Sequence, residues 1–141
     1  MECLTASLED YLEIIYILKQ NKGAVGITDI AKAFFISKPS VNKAINTLKI
    51  KGYVVQEKYG KIELTKEGLF EAKNIYGRHT TLNKFLTEIL KVDSNTAEMD
   101  ACKLEHVLSK ETLVKIECFL KNNHTSKVAL EEKVEISGKR K

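Results

Sequence analysis

Three segments of helical periodicity followed by two strand-like runs fill the chain as far as Leu64, and this order restricts the fold more than any other property. Between Ser7 and Leu18, the residues Leu8, Tyr11, Leu12, Ile15 and Leu18 recur at spacings of three and four, which predicts an amphipathic helix ended by Asn21-Lys22-Gly23. Thr28 is placed to cap a short second helix, Asp29 to Phe34, with Ile27 and Ile30 as its apolar contacts. Ser37 is placed to cap a third, from Lys38 to about Lys49. Pro39 falls in its first turn, where no amide has an intrahelical acceptor to lose. Gly52 then breaks the helix, and Tyr53-Val54-Val55 and Lys61-Ile62-Glu63-Leu64 read as strands around a turn at Tyr59-Gly60. Two helices joined by a tight turn and followed by a hairpin make a winged helix-turn-helix with a small β-hairpin wing.

The remainder is helical, so the expected class is mainly α. Thr65 caps a long helix whose stripe runs Leu69, Ala72, Ile75 or Tyr76, His79, Leu82 and Leu86, in spite of Gly77 within it. Asp93-Ser94-Asn95 breaks the pattern before a helix bearing Cys102, Glu105 and His106. Ser109 caps a last helix from Lys110 to about Leu120, with an apolar face of Leu113, Ile116, Phe119 and Leu120. The expected organisation is a DNA-binding winged helix over 1–72, a helical metal-binding and dimerisation domain over 73–136, and a disordered tail at 137–141.

The third helix turns Val41, Ile45 and Leu48 to one side and leaves a polar, basic face without acids. A duplex is densely anionic, so a protein docking on it needs lysines for phosphates and short polar side chains for base edges. Ser40, Asn42, Lys43 and Asn46 suit the groove, with Ser37, Lys38 and Pro39 in the leading turn. Lys38, Lys49 and Lys51, with Lys58 and Lys61 of the wing, suit phosphates. The net charge of +4 permits a polyanionic partner without establishing one.

A second constellation lies further on. Cys102, Glu105 and His106 stand at i, i+3 and i+4, so on a helix a thiol, a carboxylate and an imidazole would share one face. Asp10 and Glu13, also i and i+3, and His79 could join them. Such a mixture of soft and hard donors suits a divalent transition metal. The carboxylates favour Mn2+ or Fe2+, while the thiolate of Cys102 shifts preference toward iron, Co2+, Zn2+ or Cd2+. Glu98 and Asp100 are acids that could serve a second ion or simply be surface charge. Cys3 and Cys118 lack comparable partners and are read as structural. Three cysteines without regular spacing argue against a disulfide framework. With no apolar stretch like a signal peptide or membrane span, a cytoplasmic location is expected, with no membrane partner.

The chain resembles the DtxR/MntR family of metal-dependent transcriptional repressors over nearly its whole length. The resemblance rests on Leu8-Glu9-Asp10-Tyr11-Leu12-Glu13, Thr28-Asp29-Ile30-Ala31, Ser37-Lys38-Pro39-Ser40-Val41, Leu64-Thr65-Lys66-Glu67-Gly68, Tyr76-Gly77-Arg78-His79 and Leu104-Glu105-His106-Val107-Leu108-Ser109, in that order. It implies a homodimer that binds a double-stranded, palindromic DNA operator through the winged helix, dimerises through the helical domain, and takes metal between the two. It also implies that Asp10 and Glu13 match metal-binding positions of the manganese-responsive branch, and that His79, Glu105 and His106 match ligands found across the family. Cys102 departs from the manganese branch, which usually has a carboxylate there, and resembles the iron-responsive branch. That branch tends to carry methionine where this chain has Asp10, and an SH3-like domain for which 141 residues leave no room.

Two other readings fit parts of the pattern. A winged-helix regulator could respond to an organic ligand or to oxidation of Cys102 with no metal. A metallohydrolase would use similar donors, but the sequence offers no recognisable nucleophile, phosphate loop or zinc-protease motif. Neither an enzymatic activity nor a small organic substrate is therefore expected.

Overall fold

A computed structural model describes residues 4–58 and 60–123. Cys3, Tyr59 of the expected turn and the 137–141 tail lie outside the described residues. The elements run α1 (Ala6–Lys22), α2 (Ile27–Phe34), α3 (Lys38–Ile50), β1 (Val54–Gln56), β2 (Ile62–Leu64), α4 (Lys66–Lys84), a π-helical turn (Phe85–Ile89), α5 (Ser94–Leu104) and α6 (110–123). This is the mainly α, winged helix-turn-helix architecture that the sequence implies. The chain divides into two compact units, Met1–Gly77 and Arg78–Lys141.

In the first unit, Leu12 and Ile15 of α1, Ile30 of α2, Val41, Ile45 and Leu48 of α3, and Val54 and Ile62 of the hairpin form one buried core. Each such side chain contributes about 1.5–3 kcal/mol by leaving water. The two strands pair antiparallel with Val55 opposite Glu63. Ile62 N–H donates to Val25 O at 2.7 Å, which ties the wing to the segment entering α2. α1 is capped by Thr5, whose Oγ1 accepts the Leu8 N–H at 3.2 Å, and closes at Gly23 with φ +88°. Ser37 caps α3 as expected, its Oγ accepting the Ser40 N–H at 3.4 Å.

Two local expectations need correction. The cap residue of α2 is Gly26, not Thr28, because the Asp29 carboxylate reaches back to accept the Gly26 N–H at 2.8 Å and starts the helix two residues earlier. The first strand begins at Val54 because Tyr53 belongs to the joint with α4, its carbonyl accepting the Thr65 N–H at 3.0 Å. Thr65 caps α4 as expected. Its Oγ1 accepts the Gly68 N–H at 3.0 Å and donates to Gly52 O at 2.6 Å.

Along α4 the buried stripe is Ala72, Ile75, His79 and Leu82, continued by Leu86 in the π turn. Ile75 rather than Tyr76 faces inward, and Leu69, expected on the stripe, is 38% exposed. In the second unit, Leu82 and Leu86 pack with Ala97 and Ala101, small residues at i and i+4 whose size lets α5 approach closely. Leu113 and Ile116 of α6 cover this core. Phe119 stays half exposed with its ring edge-on to Phe85, centroids 6.3 Å apart. Asp93 caps α5 and Ser109 caps α6, their side chains accepting the Asn95 and Thr112 amides at 3.1 and 3.2 Å. No helix among the described residues is long and apolar enough to cross a membrane.

Candidate metal centre and nucleic-acid interface

His79 lies on the buried stripe of α4, and both of its ring nitrogens meet carboxylates. Nδ1 is 2.8 Å from Glu105 Oε2, and Nε2 is 2.8 Å from Glu98 Oε1. Asn83, one turn along α4, donates through Nδ2 to the other Glu98 oxygen at 2.7 Å. The Cys102 Sγ lies 3.8 Å from His79 Nδ1, and His106 Nε2 lies 3.3 Å from Glu105 Oε1.

Flanked in this way, the His79 imidazole is pushed up to about 9, chiefly by the hydrogen bond to Glu105 and further by Glu98, against the opposing effect of burial. At neutral pH the ring is therefore an imidazolium donating from both nitrogens. Because the folded value exceeds the ordinary 6.5, this pairing stabilises the metal-free fold fully below pH 6.5, and its contribution drains away as pH rises through about 9.

Glu105 has no exposed surface, and its Oε1 accepts no hydrogen bond among the described residues. A buried oxygen in that state loses its hydration without a hydrogen bond in exchange, although the His79 imidazolium on Oε2 offsets the charge of the group. Ligand atoms of His79, Glu98 and Cys102 lie within 4.8 Å of one another. Imidazole, carboxylate and thiol at that separation, beside a buried carboxylate with one oxygen that accepts no hydrogen bond, fit a divalent first-row ion.

Of the residues expected to bind metal, the second unit brings together His79, Cys102, Glu105 and His106. Asp10 and Glu13 lie one turn apart on α1 of the first unit, Asp10 exposed and Glu13 partly buried. The helical reason for the Cys102, Glu105 and His106 spacing holds only as far as Glu105, the cap residue of α5, whose N–H still donates to Ala101 O at 3.0 Å. α5 ends at Leu104, and Glu105 and His106 sit in the turn that follows, with Val107 N–H donating to Leu104 O at 3.1 Å. Cys102 is exposed and Glu105 is buried, and both side chains reach His79 Nδ1. Glu98 is a partner of His79 here, whereas Asp100 is exposed and makes none of these contacts. The signals for Glu98 and Asn83 were present in the sequence: each stands at helical spacing of four from a candidate ligand, Cys102 and His79 respectively.

On α3, burial of Val41, Ile45 and Leu48 leaves Ser37, Lys38, Pro39, Ser40, Asn42, Lys43 and Asn46 exposed, with Lys49 partly buried. Lys51, Lys58 and Lys61 are exposed beside them in sequence, the last two flanking the tip of the wing. Every residue assigned to the groove thus presents its side chain to solvent.

Residues 3–62 match the family model "Iron dependent repressor, N-terminal DNA binding domain", and residues 65–128 match "Iron dependent repressor, metal binding and dimerisation domain". A helix-turn-helix-type transcriptional regulator of Methanocaldococcus jannaschii is 42% identical over 118 residues, covering 83% of this chain and 94% of its own. The transcriptional regulator MntR of Lysinibacillus sphaericus is 38% identical over 112 residues, covering 79% and 80%. The structure of the manganese regulator SloR superposes with a TM-score of 0.73 at 29% identity over 81% of this chain. This chain spans only about half of that structure, 53% of its length.

Proposed function

The chain belongs to the DtxR/MntR family of metal-dependent transcriptional repressors, and from that membership we propose that it represses genes of metal-ion homeostasis by binding a palindromic operator as a homodimer when metal-loaded. The observation that carries the metal part of this reading is His79 held between Glu105 and Glu98, with Cys102 and His106 beside them. The proposed ligands are His79, Cys102, Glu105 and His106, with Asp10 and Glu13 of α1 added on the strength of the family resemblance. The working domains are 1–72 for DNA and 73–136 for metal and dimerisation, and the cellular location is the cytoplasm.

A divalent ion, Mn2+ or Fe2+ in this reading, supplies positive charge that offsets the carboxylates. The protein's residues do the rest. His79 would give up its proton, Glu105 would offer the oxygen that accepts no hydrogen bond, and Cys102 would tilt the preference among metals. Metal loading of the His79 cluster orders the unit to which dimerisation is assigned. A dimer ordered in this way places two α3 helices on half-sites one helical turn apart, or a multiple of it, at a lower entropic cost.

Two outcomes test this reading. Apparent metal affinity should rise with pH up to about 9, because the imidazolium form of His79 binds no cation. Titration calorimetry at neutral pH in buffers of different ionisation enthalpy should find about one proton released per ion from this residue; pH-independent affinity with no proton release would contradict its role as a ligand. On the DNA side, Asn42→Ala with Lys43→Ala should weaken binding to the preferred duplex by about tenfold or more while the metal isotherm of the protein alone stays unchanged. Undiminished sequence-specific binding by that double variant would place the reading surface elsewhere than α3.

A further inference from the structure

Phe35 is 94% exposed, the highest value among the exposed large apolar residues that are described, and its backbone occupies the left-handed region at φ +55°. It ends α2, where its own N–H donates to Ala31 O and the Ile36 N–H donates to the same oxygen at 3.1 Å. This is the position where glycine is the usual residue, since a Cβ is disfavoured there. An aromatic ring is therefore required neither by the turn nor by the core. It stands two residues before Ser37, the cap of α3, on the end of that helix whose first turns carry Lys38, Ser40, Asn42 and Lys43.

Its surroundings in sequence are wholly cationic or neutral. From residue 30 to residue 56 there are five lysines (Lys32, Lys38, Lys43, Lys49 and Lys51) and no aspartate or glutamate. A patch of this charge favours a polyanion such as a duplex over an apolar groove. When a recognition helix lies in the major groove, its N-terminal residues approach the base edges, and the groove's one apolar feature is the C5-methyl of thymine.

We propose that Phe35 is a specificity-determining residue that packs its ring on a thymine methyl at the edge of each half-site, which rests on the reading that α3 enters the major groove. The ring then recovers from the duplex the burial that the fold denies it. It also adds apolar discrimination beside the polar side chains of Ser40, Asn42 and Lys43.

The test uses the full-length, metal-loaded protein and duplexes that it selects from a randomised pool. Each thymine of the selected duplex is replaced by deoxyuridine, which removes only the methyl. Wild type is expected to lose about fourfold at one position per half-site, what burying one methyl-sized group is worth. Phe35→Gly, which suits the positive φ and so keeps the fold, should bind the unmodified duplex several-fold more weakly and show no loss at that position; Phe35→Leu should restore part of the dependence. An unchanged deoxyuridine profile in Phe35→Gly would overturn the role of Phe35 and leave DNA binding by α3 standing. A change in sedimentation on Phe35→Gly with DNA binding intact would assign the ring to contact between copies of the chain and likewise overturn it. Failure of the wild type to select any duplex would overturn both this role and the reading on which it rests.

Discussion

Replacing Glu105 by alanine is expected to abolish metal-stimulated DNA binding while leaving a folded protein whose metal-free affinity for DNA is unchanged. The carboxylate is fully buried, one oxygen holds the His79 Nδ1–H at 2.8 Å, and the other accepts no hydrogen bond among the described residues. Removing it deletes the donor best placed to answer a cation's charge. His79 also loses the main cause of its raised pKa and can revert to the neutral ring, still bonded to Glu98, so no uncompensated charge remains buried. For that reason the loss of fold stability is limited to about 1–3 kcal/mol, the usual scale for a buried hydrogen-bonded group. A hundredfold metal-induced gain in DNA affinity corresponds to about 2.7 kcal/mol of coupling, which one missing ligand can erase. Glu105→Gln is the sharper control, because an amide preserves shape and a hydrogen bond to His79 without the charge. Fluorescence anisotropy of a labelled duplex with and without metal reads both variants. A retained hundredfold stimulation in Glu105→Gln would remove Glu105 from the ligand set. His79→Ala and His106→Ala are expected to behave like Glu105→Ala.

The second large effect concerns the joint that sets α4 on the wing. A methyl group built on Gly68 falls on the Tyr53 carbonyl oxygen and 2.9 Å from its carbon. That carbonyl cannot move away freely, since it accepts the Thr65 N–H at 3.0 Å, while the Thr65 hydroxyl is engaged by both Gly52 O and the Gly68 N–H. Gly68→Ala must therefore pry the first turn of α4 from the residues before β1, at a cost of about 3 kcal/mol or more, the upper end for over-packing. Chemical denaturation of the metal-free protein should show a correspondingly lower midpoint. Gly77→Ala provides the contrast. A methyl there meets nothing within 4 Å, and replacing a mid-helix glycine with alanine should stabilise α4 by up to about 1 kcal/mol. Equal midpoints for Gly68→Ala and wild type would show that the joint yields more easily than its hydrogen bonds imply.

Much of the first unit was legible in the sequence because each breaker coincides with a physical need. Gly23 supplies the positive φ that closes α1, Ser37 caps α3 through its hydroxyl, and Val41, Ile45 and Leu48 keep helical spacing where the core requires it. The start of α2 was misread because Thr28 is a good cap by type, whereas the cap is made in reverse by Asp29 reaching to the amide of Gly26. Periodicity marked His79 as inward but could not say that Glu98 and Glu105 would hold its two nitrogens, since those contacts span 19 and 26 residues. The Cys102, Glu105 and His106 spacing assumes a helix through all three, whereas α5 ends at Leu104 with Glu105 as its cap residue. The π-helical turn over Phe85–Ile89, which leaves Lys91 at φ +57°, has no signature in the local residue types. The resemblance to metal-dependent repressors supplied what spacing could not, namely that a basic recognition face and a mixed-donor cluster belong to one device.

The most direct test of that device is an anaerobic DNA-binding titration of the wild-type protein against its selected duplex, with Mn2+, with Fe2+ and with chelator. A rise in affinity of about a hundredfold or more on adding either metal, reversed by chelation, is the predicted result. The same affinity with metal and with chelator would contradict the account, whatever ions the cluster around His79 is found to bind.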